Sequence, residues 1–236
     1  MTRHQAYARL GLIMALYVAL AVLYSLSLPL HKAADEIAHF RYARFIAQHG
    51  RLPLTQAERE QADYKANQPP LYHALVAALT GWSDSPDPPQ LKFVWESPRA
   101  DLAEILLDTT RLANTIDETW PYRGAVLMWH LGRAVTILCG LGVIAVTFLT
   151  ALELFPGRYR PAVISAALIA FVPAFIFYSA ALSYEPLFAF IIGLYFLFLI
   201  RVVKGDTRPR NFVALGLFLG LAVMVKYAAV ILPLEV

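Results

Sequence analysis

At 58% hydrophobic and 16% charged residues over 236 positions, with a mean hydropathy of +0.54, the chain is too apolar for a water-soluble domain. The net charge of +3 and pI near 9.0 do not indicate nucleic acid, because the basic residues are spread through loops rather than gathered into a stripe; they read as topology signals. A single cysteine, Cys139, in an apolar run excludes a disulfide framework and a Cys-based metal site.

The first element is the uncharged run Leu10–Leu30. It is long enough to cross about 30 Å of hydrocarbon and no small-residue cleavage site follows, so it reads as a retained membrane helix (about 10–30). A long loop follows, about residues 31–123. Its first part, Ala34–His49, lacks Gly and Pro and reads as a helix closed by Gly50 in the C-cap role, with Pro53 beyond. Leu71–Trp82 is apolar but short, suiting an interfacial or re-entrant helix. Pro69-Pro70 fix the chain ahead of it, and Tyr72 and Trp82 suit the headgroup zone. The last part, Ser83–Pro121, is Pro-punctuated and acidic and reads as a solvated face.

A second span covers about 126–152. Pro161–Ile200 carries one charge, Glu185, and as one helix would be about 60 Å long, so it must turn. Tyr178–Pro186 interrupts the aliphatic pattern, giving spans over about 161–178 and 186–203. A fifth span, about 212–234, carries only Lys226. With the N-terminus inside, Arg3, Arg9, Arg158, Arg160, Arg201, Lys204, Arg208 and Arg210 all fall on the cytoplasmic side. A crossing by Leu71–Trp82 would invert the later ones and is rejected. The expected fold is an all-α integral membrane protein, multi-pass in the cell membrane, with about five transmembrane helices and a long helical first extracytoplasmic loop. It shows no internal repeat and no Gly-rich phosphate loop.

The strongest chemical constellation follows the first membrane exit, Asp35-Glu36-Ile37-Ala38-His39-Phe40-Arg41-Tyr42. On a helix, Asp35 and His39 share a face, while Glu36 lies about 100° away. A carboxylate and an imidazole so placed can serve as a base and its partner, or as two metal ligands; alternatively Asp35 caps the helix. Glu185 and Lys226 are ionisable groups within apolar stretches, where such residues are costly unless paired or hydrated. Lys226, roughly 12 Å inside the outer end of its helix, could snorkel outward or attract a phosphate at the headgroup level.

Taken in order, these segments resemble the N-terminal half of the GT-C membrane glycosyltransferases, which include protein O-mannosyltransferases and the aminoarabinose transferase of lipid A. The matching pattern is Asp35-Glu36 with His39 and Tyr42-Ala43-Arg44, then His49-Gly50-Arg51-Leu52-Pro53 and Gln68-Pro69-Pro70-Leu71-Tyr72. Leu131-Gly132-Arg133, Ser183-Tyr184-Glu185, Gly220-Leu221-Ala222 and Lys226-Tyr227 complete it. The resemblance implies transfer of a sugar from a polyprenyl-phosphate donor to an acceptor hydroxyl or amine on the extracytoplasmic face. Asp35 would be the base with Glu36 beside it, and Lys226 with Arg41 would steady the departing phosphate. His39, Tyr72, Glu185 and Tyr227 join Arg41 and Lys226 as implied substrate-binding positions. Membrane lipid is an expected neighbour and nucleic acid is not an expected partner. A divalent metal ion stays open, since some relatives need one; Tyr184, where many relatives have Asn, departs from the pattern and weakens a ligand role for Glu185. The chain stops near its fifth exit, so it is expected to be the N-terminal part of a longer transmembrane domain. The competing expectations are a non-catalytic membrane scaffold and a transporter component.

Overall fold

The computed structural model describes residues 1–30, 32, 33, 35–86 and 120–235, so most of the acidic Ser83–Pro121 segment lies outside the described residues. Every regular element among them is helical, as expected of an all-α membrane protein. Helix α1 (Arg3–Ser27) opens with a capping box. The Thr2 hydroxyl accepts from the Gln5 N–H, and the Gln5 side chain accepts from the Thr2 N–H. Helix α2 (Glu36–His49) closes at Gly50, whose left-handed φ of 64° carries no Cβ penalty in glycine. The short α3 (Gln56–Gln61) and a 3-10 turn, Tyr64–Asn67, lead to α4 (Leu71–Thr80).

Helix α5 (Gly124–Leu154) is the axis of the molecule. Its 31 residues make it about 46 Å long, more than the ~30 Å of hydrocarbon, so it projects beyond the apolar layer. Helices α6 (Tyr159–Ala170) and α7 (Pro173–Ala180) form a pair bent by 61°. Pro173 lacks an N–H and holds Val172 in extended backbone, which ends the first helix and starts the second. Helices α8 (Glu185–Val203) and α9 (Pro209–Val223) follow, and 3-10 turns span Tyr227–Glu235.

The interruption expected over Tyr178–Pro186 is present: α7 ends at Ala180 and α8 begins at Glu185. By length and composition α1, α5 and α8 qualify as membrane-crossing helices, with a fourth if the bent α6–α7 pair is one span. The fifth expected span is α-helical only to Val223, and the break coincides with a contact from another element. The Met224 carbonyl accepts from the Leu71 N–H at 3.0 Å. That N–H is one of the donors a helix start leaves without an internal partner, so the break in one element completes the other. The irregular stretch carries Lys226.

Two apolar cores flank the midpoint of α5. One joins α1, the C-terminal part of α5, α6 and α7 through Ala6, Ile13, Tyr17, Phe148, Ala162 and Ala166. The other joins α2, α4, the N-terminal part of α5 and α8 through Phe40, Tyr72, Val76, Trp129, Leu182 and Leu187. Between α1 and the second core lies a fully buried ion pair. Arg133 of α5 donates to both Glu36 oxygens, at 2.6 and 2.8 Å, and to the carbonyls of Ser25, Leu28 and Pro29 at 2.7, 2.8 and 3.2 Å. Glu36 Oε1 also accepts from the Leu182 N–H at 2.9 Å. One guanidinium thus ties the end of α1, the start of α2 and the α7–α8 turn to α5. Nearly every lone pair and proton in the cluster is used, the condition under which a buried charge pair is tolerated.

Candidate functional site

Asp35 immediately precedes α2 with φ 63° and ψ 0°, and its side chain makes no capping hydrogen bond. The left-handed region costs a non-glycine residue about 1–3 kcal/mol and is tolerated best by Asp and Asn. Its carboxylate is held from another direction. Oδ1 accepts from the Tyr64 hydroxyl, and Oδ2 pairs with Lys65 Nζ at 3.0 Å. Both partners come from the 3-10 turn, whose first N–H donates to Asp63 Oδ1 at 2.7 Å. The Tyr64 hydrogen bond, and then Lys65, hold the Asp35 carboxyl below the usual range, so it is ionised at neutral pH. Burial and the same carboxylate push the Tyr64 phenol up, so it stays a donor.

Asp35, His39, Lys65, Tyr178, Ser183, Tyr184 and Glu185 line a cavity of about 380 Å³, within the ~300–1,000 Å³ usual for small-molecule sites. Lys226 reaches its rim by donating to Glu185 Oε1 at 2.8 Å. Both ammoniums lie against the Tyr184 ring, with Lys65 Nζ 4.9 Å and Lys226 Nζ 5.4 Å from its centroid. His39 is buried, its ring 4.8 Å edge-on to Tyr184 and its Nδ1 2.9 Å from Nε2 of His73 on α4. Burial, reinforced by Lys65, pushes His39 down to about 3, and burial holds His73 well below its ordinary value, so both rings are neutral.

The sequence expectations meet this geometry unevenly. Asp35, His39 and Glu185 line the cavity, and Lys226 contacts its edge. Glu36 points away, into the buried pair with Arg133. Arg41 pairs with Asp63 at 2.9 Å on a separate cleft of about 410 Å³ bordered by Arg59, Glu60 and Tyr64. Tyr72 is fully buried and hydrogen-bonded to Thr136 at 2.7 Å, and Tyr227 is exposed outside the cavity lining. Tyr64, Lys65 and His73 were not anticipated. A Lys in a polar loop is ordinary, and only the fold brings Lys65 back to Asp35.

Residues 110–236, more than half of the chain, match the family of dolichyl-phosphate-mannose-protein mannosyltransferases. The chain belongs to this family. Searches among curated proteins and among solved structures gave no match. The family match covers Arg133, Glu185 and Lys226, whereas Asp35, His39 and Lys65 precede it. The membrane glycosyltransferase family thus accounts for the apolar helices, and the cavity joins the matched part of the chain to the part before it.

The two carboxylates of this cavity, Asp35 and Glu185, each have an ammonium within 3.0 Å. Among the described residues no group of three or more His, Cys, Asp or Glu is arranged to hold a metal ion.

Proposed function

We propose that this glycosyltransferase moves a sugar from a polyprenyl-phosphate donor to an acceptor hydroxyl, at the membrane face away from the cytoplasm, with Asp35 as general base. One observation carries the reading: an ionised carboxylate and Lys65 line one cavity beside Tyr184, and Lys226, far away in the sequence, meets the same ring at the cavity's rim. The basic residues Arg158, Arg160, Arg201 and Lys204 cluster at loops at the opposite end of the spans from Asp35, which supports an extracytoplasmic site by the positive-inside rule.

In the proposed reaction the phosphodiester lies near Lys65 and Lys226. These ammoniums stabilise the charge that grows on the phosphate as its bond to the anomeric carbon breaks. The acceptor oxygen forms the new bond from the opposite face, and Asp35 takes its proton; the products are the inverted glycoside and the polyprenyl phosphate. A phosphate beside Lys65 also gives that ammonium a second anion, which loosens its hold on Asp35 and raises the basicity of the carboxylate once donor is bound. Glu36 serves as a positioning residue, fixing the start of α2 through Arg133.

The test is transfer of radiolabelled sugar from a panel of polyprenyl-phosphate donors, in membranes bearing the wild-type protein or Asp35→Asn. Loss of about 10²–10⁴-fold in a normally expressed variant is expected of a general base. Equal transfer by both proteins would return Asp35 to a purely structural role.

A further inference from the structure

Among the groups lining the cavity, His39 is a titratable side chain that neither the phosphate nor the departing proton employs. Its ring is fixed on three sides. His73 lies nearly parallel to it with centroids 5.1 Å apart, Tyr184 meets it edge-on at 4.8 Å, and Tyr72 edge-on at 5.9 Å. His73 is itself clamped by Tyr42, 4.4 Å away. A side chain this constrained presents one atom in one direction.

The His39–His73 pair fixes how that atom can be protonated. Between His39 Nδ1 and His73 Nε2, 2.9 Å apart, one proton is shared. On its other side His73 Nδ1 is buried with no hydrogen-bond partner within range. With the His73 proton on Nδ1, His73 Nε2 is the acceptor, His39 Nδ1 the donor, and His39 Nε2 a bare lone pair on the side of the ring left to the cavity.

Resting on the transferase reading above, we propose that His39 Nε2 accepts a hydrogen bond from a hydroxyl of the donor sugar, and that His73 is the positioning residue that fixes the required tautomer. The other substrate parts have better-matched partners: the phosphate has Lys65 and Lys226, and the acceptor's proton has Asp35. A neutral lone pair held rigidly within a charged cavity suits an O–H, repels a phosphate oxygen, and lines the same cavity as the base. His39 thus selects sugars by a hydroxyl at one ring position.

The test uses the full-length protein in membranes, a sugar that it transfers, and the mono-deoxy series of that polyprenyl-phosphate donor. One deoxy donor is expected to fall by about 10–100-fold in kcat/KM with the wild-type protein. His39→Phe falls by a similar factor with the parent donor and loses nothing more with that deoxy donor. His73→Phe reproduces the loss, while His73→Gln, whose amide oxygen can accept from His39 Nδ1–H, retains most of the activity. If every deoxy donor loses as much with His39→Phe as with the wild type, His39 reads no hydroxyl and the proposal falls while the transferase reading stands. Wild-type protein that transfers no sugar from any polyprenyl phosphate overturns both. Nitrogen-15 NMR of histidine-labelled wild-type protein reads the tautomer without activity and without a variant: a protonated Nδ1 and bare Nε2 on His39 are expected, and the reverse assignment overturns the proposal.

Discussion

The two halves of the bundle are held together by opposite means. Around Tyr17 and Phe148 the contacts are among small side chains: Ala6, Ala162, Ala166 and Ala170 are fully buried, and a Cβ on Gly140 would lie 1.9 Å from the Tyr17 hydroxyl. Close approach of backbones is what lipid-embedded helices use, because lipid supplies no hydrophobic drive for association. Around Glu36 and His39 the half that carries the cavity is built from a buried ion pair, a histidine pair and stacked aromatics. Packing of the first kind tolerates no added volume, and packing of the second kind tolerates no missing partner.

The largest effect that sharpens this contrast comes from Arg133→Met. It strands the Glu36 carboxylate without water and is expected to destabilise the protein by about 3–5 kcal/mol. Adding Glu36→Gln should recover much of that loss, since the uncompensated charge is gone; chemical unfolding in detergent measures both. A double variant no better than Arg133→Met would show that the carbonyls of Ser25, Leu28 and Pro29, rather than the charge, depend on the guanidinium. Next, Gly140→Ala in the other half is expected to cost about 1–3 kcal/mol by overpacking. Tyr17→Phe removes the atom nearest the new methyl and should relieve part of it, a coupling that additive losses in a double-mutant cycle would disprove.

This contrast also explains what was legible in the sequence. Apolar length and the positions of Arg and Pro gave the helices, the turn before Glu185 and the capping of α2 by Gly50, because these obey local rules. Asp35 and His39 stood out because they are one helical turn apart on one face. The break after Val223 was not legible: it coincides with a hydrogen bond between Met224 and Leu71, remote in the chain. Glu36 and Asp35 are adjacent in sequence and alike in chemistry, yet one faces Arg133 in a dry interior and the other faces Lys65 at the cavity. Nothing short of the tertiary fold separates their roles. Lys65 and His73 were missed for the same reason, since each gains its meaning from a partner on another element.

A third, smaller effect is pH dependence. His39 and His73 are kept neutral by burial, with Lys65 adding to the effect on His39, whereas in the unfolded chain each binds a proton as pH falls below about 6.5. The unfolded state then carries more protons than the folded one, so stability falls on acidification from pH 7 toward 4. A melting-temperature drop from pH 7 to pH 5 is expected for wild-type protein, reduced in a His39→Gln/His73→Gln variant. An unchanged drop in that variant would place the acid sensitivity elsewhere.

The smallest effect concerns Arg41, which shares α2 with the site yet faces a different cleft. Its pair with Asp63 is half exposed, 49% for the arginine side chain, and exposed pairs contribute about 0–1 kcal/mol. Arg41→Ala should therefore leave stability nearly unchanged and sugar transfer within about twofold, the residual coming through Asp63, the neighbour of Tyr64. Lys65→Met and Lys226→Met should instead weaken use of the phosphate donor, because their ammoniums face the Tyr184 ring at the cavity. A large loss of donor use in Arg41→Ala, matching that of the two lysines, would mean that the phosphate reaches the cleft beyond Tyr64, and that the two cavities act as one.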